Sequence, residues 1–215
     1  MSDEEIYQRF IDSLKQTWWG VPEADELMPL IKATYNPEEA SLLTGMPPSA
    51  TNLEELAELK QMDSAELSQR LDALAKKGLV FCTIRGDTVR YRLNDSFFVH
   101  YRSNFWPGRT DERSKAIAPL INQYYYHGFF DQYDSTHLKG LRVLPIQEVI
   151  EDTRQILPYE EVIKVLDSVD YFTVSTCPCR HRKNIDPDSS NCKYPGPGGS
   201  IEVCLHFGRL GHYIV

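Results

Sequence analysis

Apolar residues recur every three or four positions through much of the first half of the chain, a period that predicts amphipathic helices. Residues 4–18 form the first such stretch, and a second surrounds Leu27–Ile31. Two adjacent tryptophans, Trp18 and Trp19, end the first stretch. Because tryptophan is mostly buried in proteins, we expect this pair to pack on the body of the protein, with a second copy of the chain as the alternative.

Three further helices carry clear start signals, at Asn36, Asn52 and Asp63. In each, a side chain able to cap a helix is followed three positions later by glutamate, the pattern of a capping box. Pro37 adds a proline at the first helical position of the first of them. Gly78 follows the third helix and is the kind of residue at which helices stop.

After Gly78 the pattern changes to that of β-strands. The runs LVFCTI and VRYRL flank a turn at Arg85–Asp87, which predicts a β-hairpin. Helices, a short helix-turn-helix and then a two-stranded wing are the order of a winged-helix domain. We therefore expect an N-terminal helix in residues 1–23 and a winged helix-turn-helix domain in residues 24–95.

Residues 96–140 are rich in aromatic side chains, and we interpret them as a helical connector with one helix from Asp111 to His127. Such a density of rings fits a ligand pocket or a packing layer between two domains. We favour the packing layer, because large rings bury much area wherever domains meet.

Residues 141–215 form the last predicted unit. Arg142–Ile146 is expected to be a short strand, and Pro158 to open a helix. Tyr171–Ser175 is expected to be a strand that leads directly to Cys177. A strand end is a rigid place from which to hold a ligand.

Composition limits the class of protein. The chain has 215 residues, 41% hydrophobic and 25% charged, as in globular proteins, and no apolar run approaches the length of a membrane span. Its acidic N-terminus lacks the basic-then-apolar order of a signal peptide, so we expect a cytoplasmic protein with reduced thiols. The net charge is −8, yet residues 171–215 carry five bases against three acids.

Four of the five cysteines lie in that basic segment, at Cys177, Cys179, Cys192 and Cys204. Prolines and glycines surround them, and such loops bend the backbone so that distant sulfurs can converge. The fifth cysteine, Cys82, lies in a predicted strand among apolar neighbours and is expected to be an ordinary buried thiol.

Three kinds of site compete for the four cysteines. Disulfides are disfavoured in a reducing compartment. A structural zinc site is an alternative, although zinc usually takes two close cysteine pairs and this chain has one. An iron–sulfur cluster suits the scattered spacing, because each thiolate of a [4Fe–4S] cubane takes a different iron.

The residues after the first cysteine pair are basic. Arg180, His181 and Arg182 would stabilise the negative charge of a cluster or meet an acidic partner, although basic runs are most often solvated surface. His181 and His206 each lie two residues after a cysteine and are alternative ligands.

The quoted motifs carry a resemblance. LPYEEV, the CxCR that starts at Cys177 and the CLxFG that starts at Cys204 resemble the cluster region of a family of iron–sulfur proteins from anaerobic bacteria and archaea. ELMPLIKATYNPEEASLLTGMP and LSQRLDALAKKGLVF resemble the winged-helix module that precedes it there. The similarity covers about residues 25–215. Family members often continue into further cysteine motifs, which this sequence does not contain. The resemblance implies a cluster and a redox role and names no substrate.

The sequence thus predicts an α+β protein with a winged-helix domain and a small cysteine-rich domain. The expected function is binding of an iron–sulfur cluster, [4Fe–4S] in type, for electron transfer or redox sensing in anaerobic metabolism. The alternatives are a redox- or metal-responsive transcriptional regulator and a structural zinc protein. No catalytic constellation is evident, so an enzymatic role would be as a component of an oxidoreductase system. The expected partner is a redox protein of acidic character, with a homodimer as an open possibility and DNA disfavoured.

Overall fold

The computed structural model describes residues 1–17, 20–94, 102–135, 162–189 and 200–214, and it mixes helix with sheet. The N-terminal part has five helices: α1 Asp3–Lys15, α2 Leu27–Thr34, α3 Pro37–Leu43, α4 Leu53–Lys60 and α5 Ser64–Lys76. The three predicted start signals are confirmed: Asn36, Asn52 and Asp63 each accept a hydrogen bond from a backbone N–H in the first turn.

A three-stranded antiparallel sheet follows these helices. Its strands are β1 Thr51–Asn52, β2 Val80–Arg85 and β3 Thr88–Leu93, in the order β1-β3-β2. The predicted hairpin is therefore confirmed, with Gly86 at positive φ in its turn. Gly78, at φ 78°, ends α5 and turns the chain into β2. Leu71 of α5 and Leu93 of β3 are both buried in the hydrophobic core.

The aromatic segment forms helices. Residues 102–105 make one helical turn, α6 spans Glu112–Tyr124, a π-helix spans Tyr125–Phe130 and α7 spans Asp131–Ser135. The predicted start at Asp111 is confirmed, since its side chain accepts a hydrogen bond from the N–H of Ser114. The regular helix ends earlier than predicted. It changes to π-type just before Gly128, which packs so closely on the Tyr124 ring that a Cβ there would lie 2.6 Å from it.

The C-terminal part contains a second, two-stranded sheet. Its elements are α8 Val162–Asp167, β4 Phe172–Thr176, α9 Pro178–Asn184, β5 Glu202–Phe207 and α10 Arg209–Ile214. The strand before Cys177 was predicted, whereas α9 occupies residues expected to begin a loop. The signals for it were present: Pro178 stands at the first helical position, and basic residues fill the last turn, where the helix dipole favours them.

One hydrophobic core joins the described parts. Phe105 and Tyr124 of the aromatic segment are buried in it, as expected for a packing layer, while Tyr126 and Phe130 are exposed. Helix α10 packs on β2: the ring of Tyr213 lies 4.1 Å from that of Phe81, and its hydroxyl donates to the carbonyl of Val80 at 3.1 Å. The C-terminal part is thus held against the first sheet.

Some expectations fall outside the described residues: the placement of Trp18 and Trp19, the strand at Arg142–Ile146 and the position of Cys192. Within the described ranges, no helix has both the length and the apolar character needed to cross a membrane.

Candidate functional site

The two-stranded sheet brings distant cysteines to one place. In the antiparallel ladder of β4 and β5, Ser175 lies opposite Cys204, so Cys204 stands beside the end of the strand that leads to Cys177. The N–H of Cys177 donates to the carbonyl of Ile201 at 2.6 Å, which extends the pairing to the first residue of the cysteine motif. Cys179 follows within the first turn of α9. Three of the four predicted ligands therefore lie at one end of this sheet.

Burial and the neighbouring cysteines both act on the Cys204 thiol. Partial burial raises the pKa of the Cys204 thiol, and the charges of Cys177 and Cys179 raise it further. Charges influence each other in this way only at short range. Cys177 and Cys204 are half-buried and Cys179 is exposed.

The described side chains do not complete a site for a single metal ion. Within the described ranges, no group of three or more His, Cys, Asp or Glu side chains is gathered closely enough to hold one. The fourth predicted ligand, Cys192, lies outside those ranges. Cys82 stands apart on β2, half-buried, where burial raises the pKa of its thiol.

Both histidines near the cysteines are engaged in hydrogen bonds inside the protein. His181 Nε2 donates to the carbonyl of Arg109 at 2.6 Å. His206 Nε2 is hydrogen-bonded to the hydroxyl of Ser175 at 2.8 Å, and burial lowers the pKa of this imidazole. These bonds use one ring nitrogen of each histidine, and both side chains are buried. The structure therefore gives no support to either histidine as a replacement ligand.

The basic run after Cys179 is partly buried: Arg180 and Lys183 are half-buried, whereas the two residues between them are buried. His181 is 5% exposed and Arg182 8% exposed, which leaves neither with a surface for an acidic partner. Arg182 Nη1 donates to Oδ1 of Asn122, and Asn122 Nδ2 donates to Oδ2 of Asp186 at 2.5 Å. The guanidinium also lies 5.7 Å from the ring centroid of Tyr125. Through Asn122, a buried cation and a buried carboxylate fasten the cysteine-bearing helix α9 to α6.

A second segment, residues 102–109, closes the inner face of the two-stranded sheet. Trp106 packs edge-on against His206, with ring centroids 4.9 Å apart. Gly108 has φ 68°, and a Cβ there would lie 2.6 Å from the hydroxyl of Thr176, one residue before Cys177. The sequence predicts Trp106 only as part of a packing layer and assigns no role to Asn122. No local signal marks either residue. The partner of Trp106 lies about a hundred positions away in the chain, and the partner of Asn122 about sixty.

The outer face of the same sheet is apolar and exposed. Its cross-strand pairs are Phe172 with Phe207 and Val174 with Leu205. All four side chains are at least 39% exposed. Alternation along the strands therefore separates the two faces: cysteine, histidine and serine point inward, and large apolar side chains point outward.

Comparison with known proteins adds no relative: no family model, no curated protein and no solved structure matches this chain.

Proposed function

We propose that this chain binds an iron–sulfur cluster, [4Fe–4S] in type, through Cys177, Cys179, Cys192 and Cys204, and that it serves in electron transfer or redox sensing. The observation that carries the proposal is the meeting of Cys177, Cys179 and Cys204 at one end of the β4–β5 sheet. The sequence resemblance to iron–sulfur proteins of anaerobes, which itself remains a proposal, points to the same residues.

The spacing of the cysteines favours a cluster over zinc. Zinc usually takes two close cysteine pairs, and this chain has one, Cys177 with Cys179. Four thiolates on four different irons need wider spacing. The buried indole N–H of Trp106, which has no hydrogen-bond partner among the described residues, also lies beside Cys204. Donors of this kind stabilise the charge of cluster-bound sulfur.

A cluster bound here would supply one-electron chemistry. The protein's own residues would hold the sulfurs, and the burial of His206 and Trp106 would limit water on the inner face of the sheet. The proposed partner is a redox protein, with the chain as a component of an oxidoreductase system. Thiolate ligands suit a reducing compartment, for which we propose the cytoplasm.

Anaerobic purification followed by iron and sulfide analysis tests the proposal. We expect about four iron and four sulfide per chain, with a broad visible absorption band that air removes. Cys177→Ala and Cys204→Ala should each lower the iron content strongly. Cys82→Ser is the matched control, because it removes a half-buried thiol from another sheet and should leave the cluster in place.

Two results contradict this proposal. A colourless anaerobic protein with one zinc and no sulfide establishes the zinc alternative. Stoichiometric iron and sulfide that survive both Cys177→Ala and Cys204→Ala show that other residues are the ligands.

We further infer that residues 24–94 are a winged-helix domain that serves as a scaffold and not as a DNA reader. Its support is the order α4, α5, β2, β3 with the sheet β1-β3-β2. Several of the basic side chains that would meet phosphates are engaged within the protein. Arg70 pairs with Glu66 at 2.6 Å, Lys77 pairs with Glu39, and the Arg92 guanidinium lies 4.8 Å from the ring centroid of Phe81.

We therefore expect no affinity for duplex DNA tighter than ~1 μM at physiological salt. The physical reason is that DNA binding rests on several free lysines and arginines on one face. Fluorescence anisotropy with promoter duplexes at several salt concentrations measures it. Sub-micromolar, salt-sensitive binding that Arg90→Ala and Arg92→Ala abolish contradicts the inference and supports the regulator alternative.

A further inference from the structure

The indole N–H of Trp106 is a buried donor without an acceptor. The Trp106 side chain is 6% exposed, and its Nε1 has no hydrogen-bond partner within the described part of the chain. Folded proteins rarely leave such a donor unpaired, and each case needs an explanation. A phenylalanine would fill much of the same space without that cost.

The position of Trp106 limits what the N–H can meet. Its ring packs edge-on against His206, whose Nε2 is already bonded to Ser175. Tyr213, the other ring beside it, uses its hydroxyl to bind the carbonyl of Val80. Cys204 lies two residues before His206 on β5 and so on the same inward face of the sheet. Its sulfur is an acceptor on that face, as is the hydroxyl of Thr173, which lies opposite His206 and has no partner among the described residues.

The N–H of Trp106 approaches the Cys204 thiol. The approach falls short of a formed hydrogen bond. This is the behaviour expected of a donor that faces a neutral thiol, because a thiol sulfur is a weak acceptor.

We propose that Trp106 is a positioning residue whose indole N–H donates a hydrogen bond to the Cys204 sulfur when that sulfur is a cluster-bound thiolate. The inference rests on the proposed cluster. A charged sulfur is a much better acceptor than a thiol, so the bond forms with ligation. Hydrogen bonds to ligand sulfurs stabilise the more negative, reduced state and so raise the reduction potential.

Indole hydrogen exchange provides the first test. The chain has three tryptophans, so in the Trp18→Phe/Trp19→Phe double variant the indole of Trp106 alone gives an Nε1–H signal. The protein is compared by NMR without metal and after anaerobic loading with ferrous iron and sulfide. We expect exchange of this proton with deuterium at least ~10-fold slower in the loaded protein, since a bond to a charged acceptor contributes that much protection.

The reduction potential provides the second test. Trp106→Phe keeps an aromatic ring against His206 and removes the N–H. We expect it to retain iron and sulfide while its potential shifts to a more negative value. Tyr213→Phe is the matched control, because it removes a donor from a neighbouring ring that points to Val80, and it should leave the potential unchanged.

The outcomes separate this inference from the proposed function. A chain that binds no iron and sulfide overturns both. A chain that binds the cluster, shows equal indole exchange with and without it, and keeps its potential in Trp106→Phe overturns the role of Trp106 alone. The exchange measurement does not depend on the folding of Trp106→Phe.

Discussion

Asn122→Ala is expected to lower the free energy of unfolding by about 2–4 kcal/mol, because it removes the buried hydrogen bonds that link Arg182 to Asp186. The amide accepts from the guanidinium and donates to the carboxylate, and all three side chains are at most 9% exposed. Alanine fills neither role, so the guanidinium and the carboxylate each lose one buried hydrogen bond. Urea denaturation measures the loss.

The next position on the same helix provides the control. Gln123 is exposed, so Gln123→Ala should change the free energy of unfolding by no more than about 0.5 kcal/mol. Hydrogen exchange locates the effect: in Asn122→Ala, the amides of α9 should exchange faster, because that helix loses its attachment to α6. Equal stability of the two variants would show that the link contributes little.

Gly78→Ala is expected to destabilise the protein by roughly 2–5 kcal/mol, through both backbone strain and a steric clash. Gly78 has φ 78°, and a Cβ there would lie 2.4 Å from the carbonyl oxygen of Ser103. Backbone cannot yield as a flexible side chain can. The carbonyl of Gly78 also accepts hydrogen bonds from Asn94 at 2.8 Å and from the Ser103 hydroxyl at 2.7 Å, so any shift weakens both.

Gly45→Ala separates the two causes. Gly45 has nearly the same φ, 73°, but a Cβ there would meet nothing within 4 Å. Gly45→Ala should therefore be destabilised only by the strain of the left-handed conformation, which costs about 1–2 kcal/mol. Thermal and urea unfolding of the two variants give the difference. A loss in Gly78→Ala no larger than in Gly45→Ala would mean that Ser103 moves aside without cost.

These two predictions concern contacts that hold the segments of the candidate site in place. Asn122 holds α9, which carries Cys179, and Gly78 contacts the helical turn at residues 102–105, which precedes Trp106. The site is therefore assembled from parts of the chain that the core positions independently. Loss of either contact should also weaken cluster binding, which iron and sulfide analysis of the same variants can detect.

The sequence determined the elements whose signals are local. Asn36, Asn52 and Asp63 cap helices because their side chains reach backbone N–H groups within the next turn. Apolar alternation around a short turn specifies the first hairpin. The strand before Cys177 was evident for the same reason. The cysteine spacing identified the candidate ligands, although Cys192 lies outside the described residues and the cofactor remains a proposal.

Only the tertiary structure decided which side chains surround the cysteines. A run of basic residues has the same sequence pattern whether its side chains are solvated or buried. His181 and Arg182 are buried because acceptors at Arg109 and Asn122, on another segment, compensate them. Trp106 reaches the face of Cys204 across about a hundred positions of chain. Such pairings depend on how helices and sheets pack together. Neither the local propensity of a residue nor the hydrophobic period of its segment indicates which distant residue it will contact.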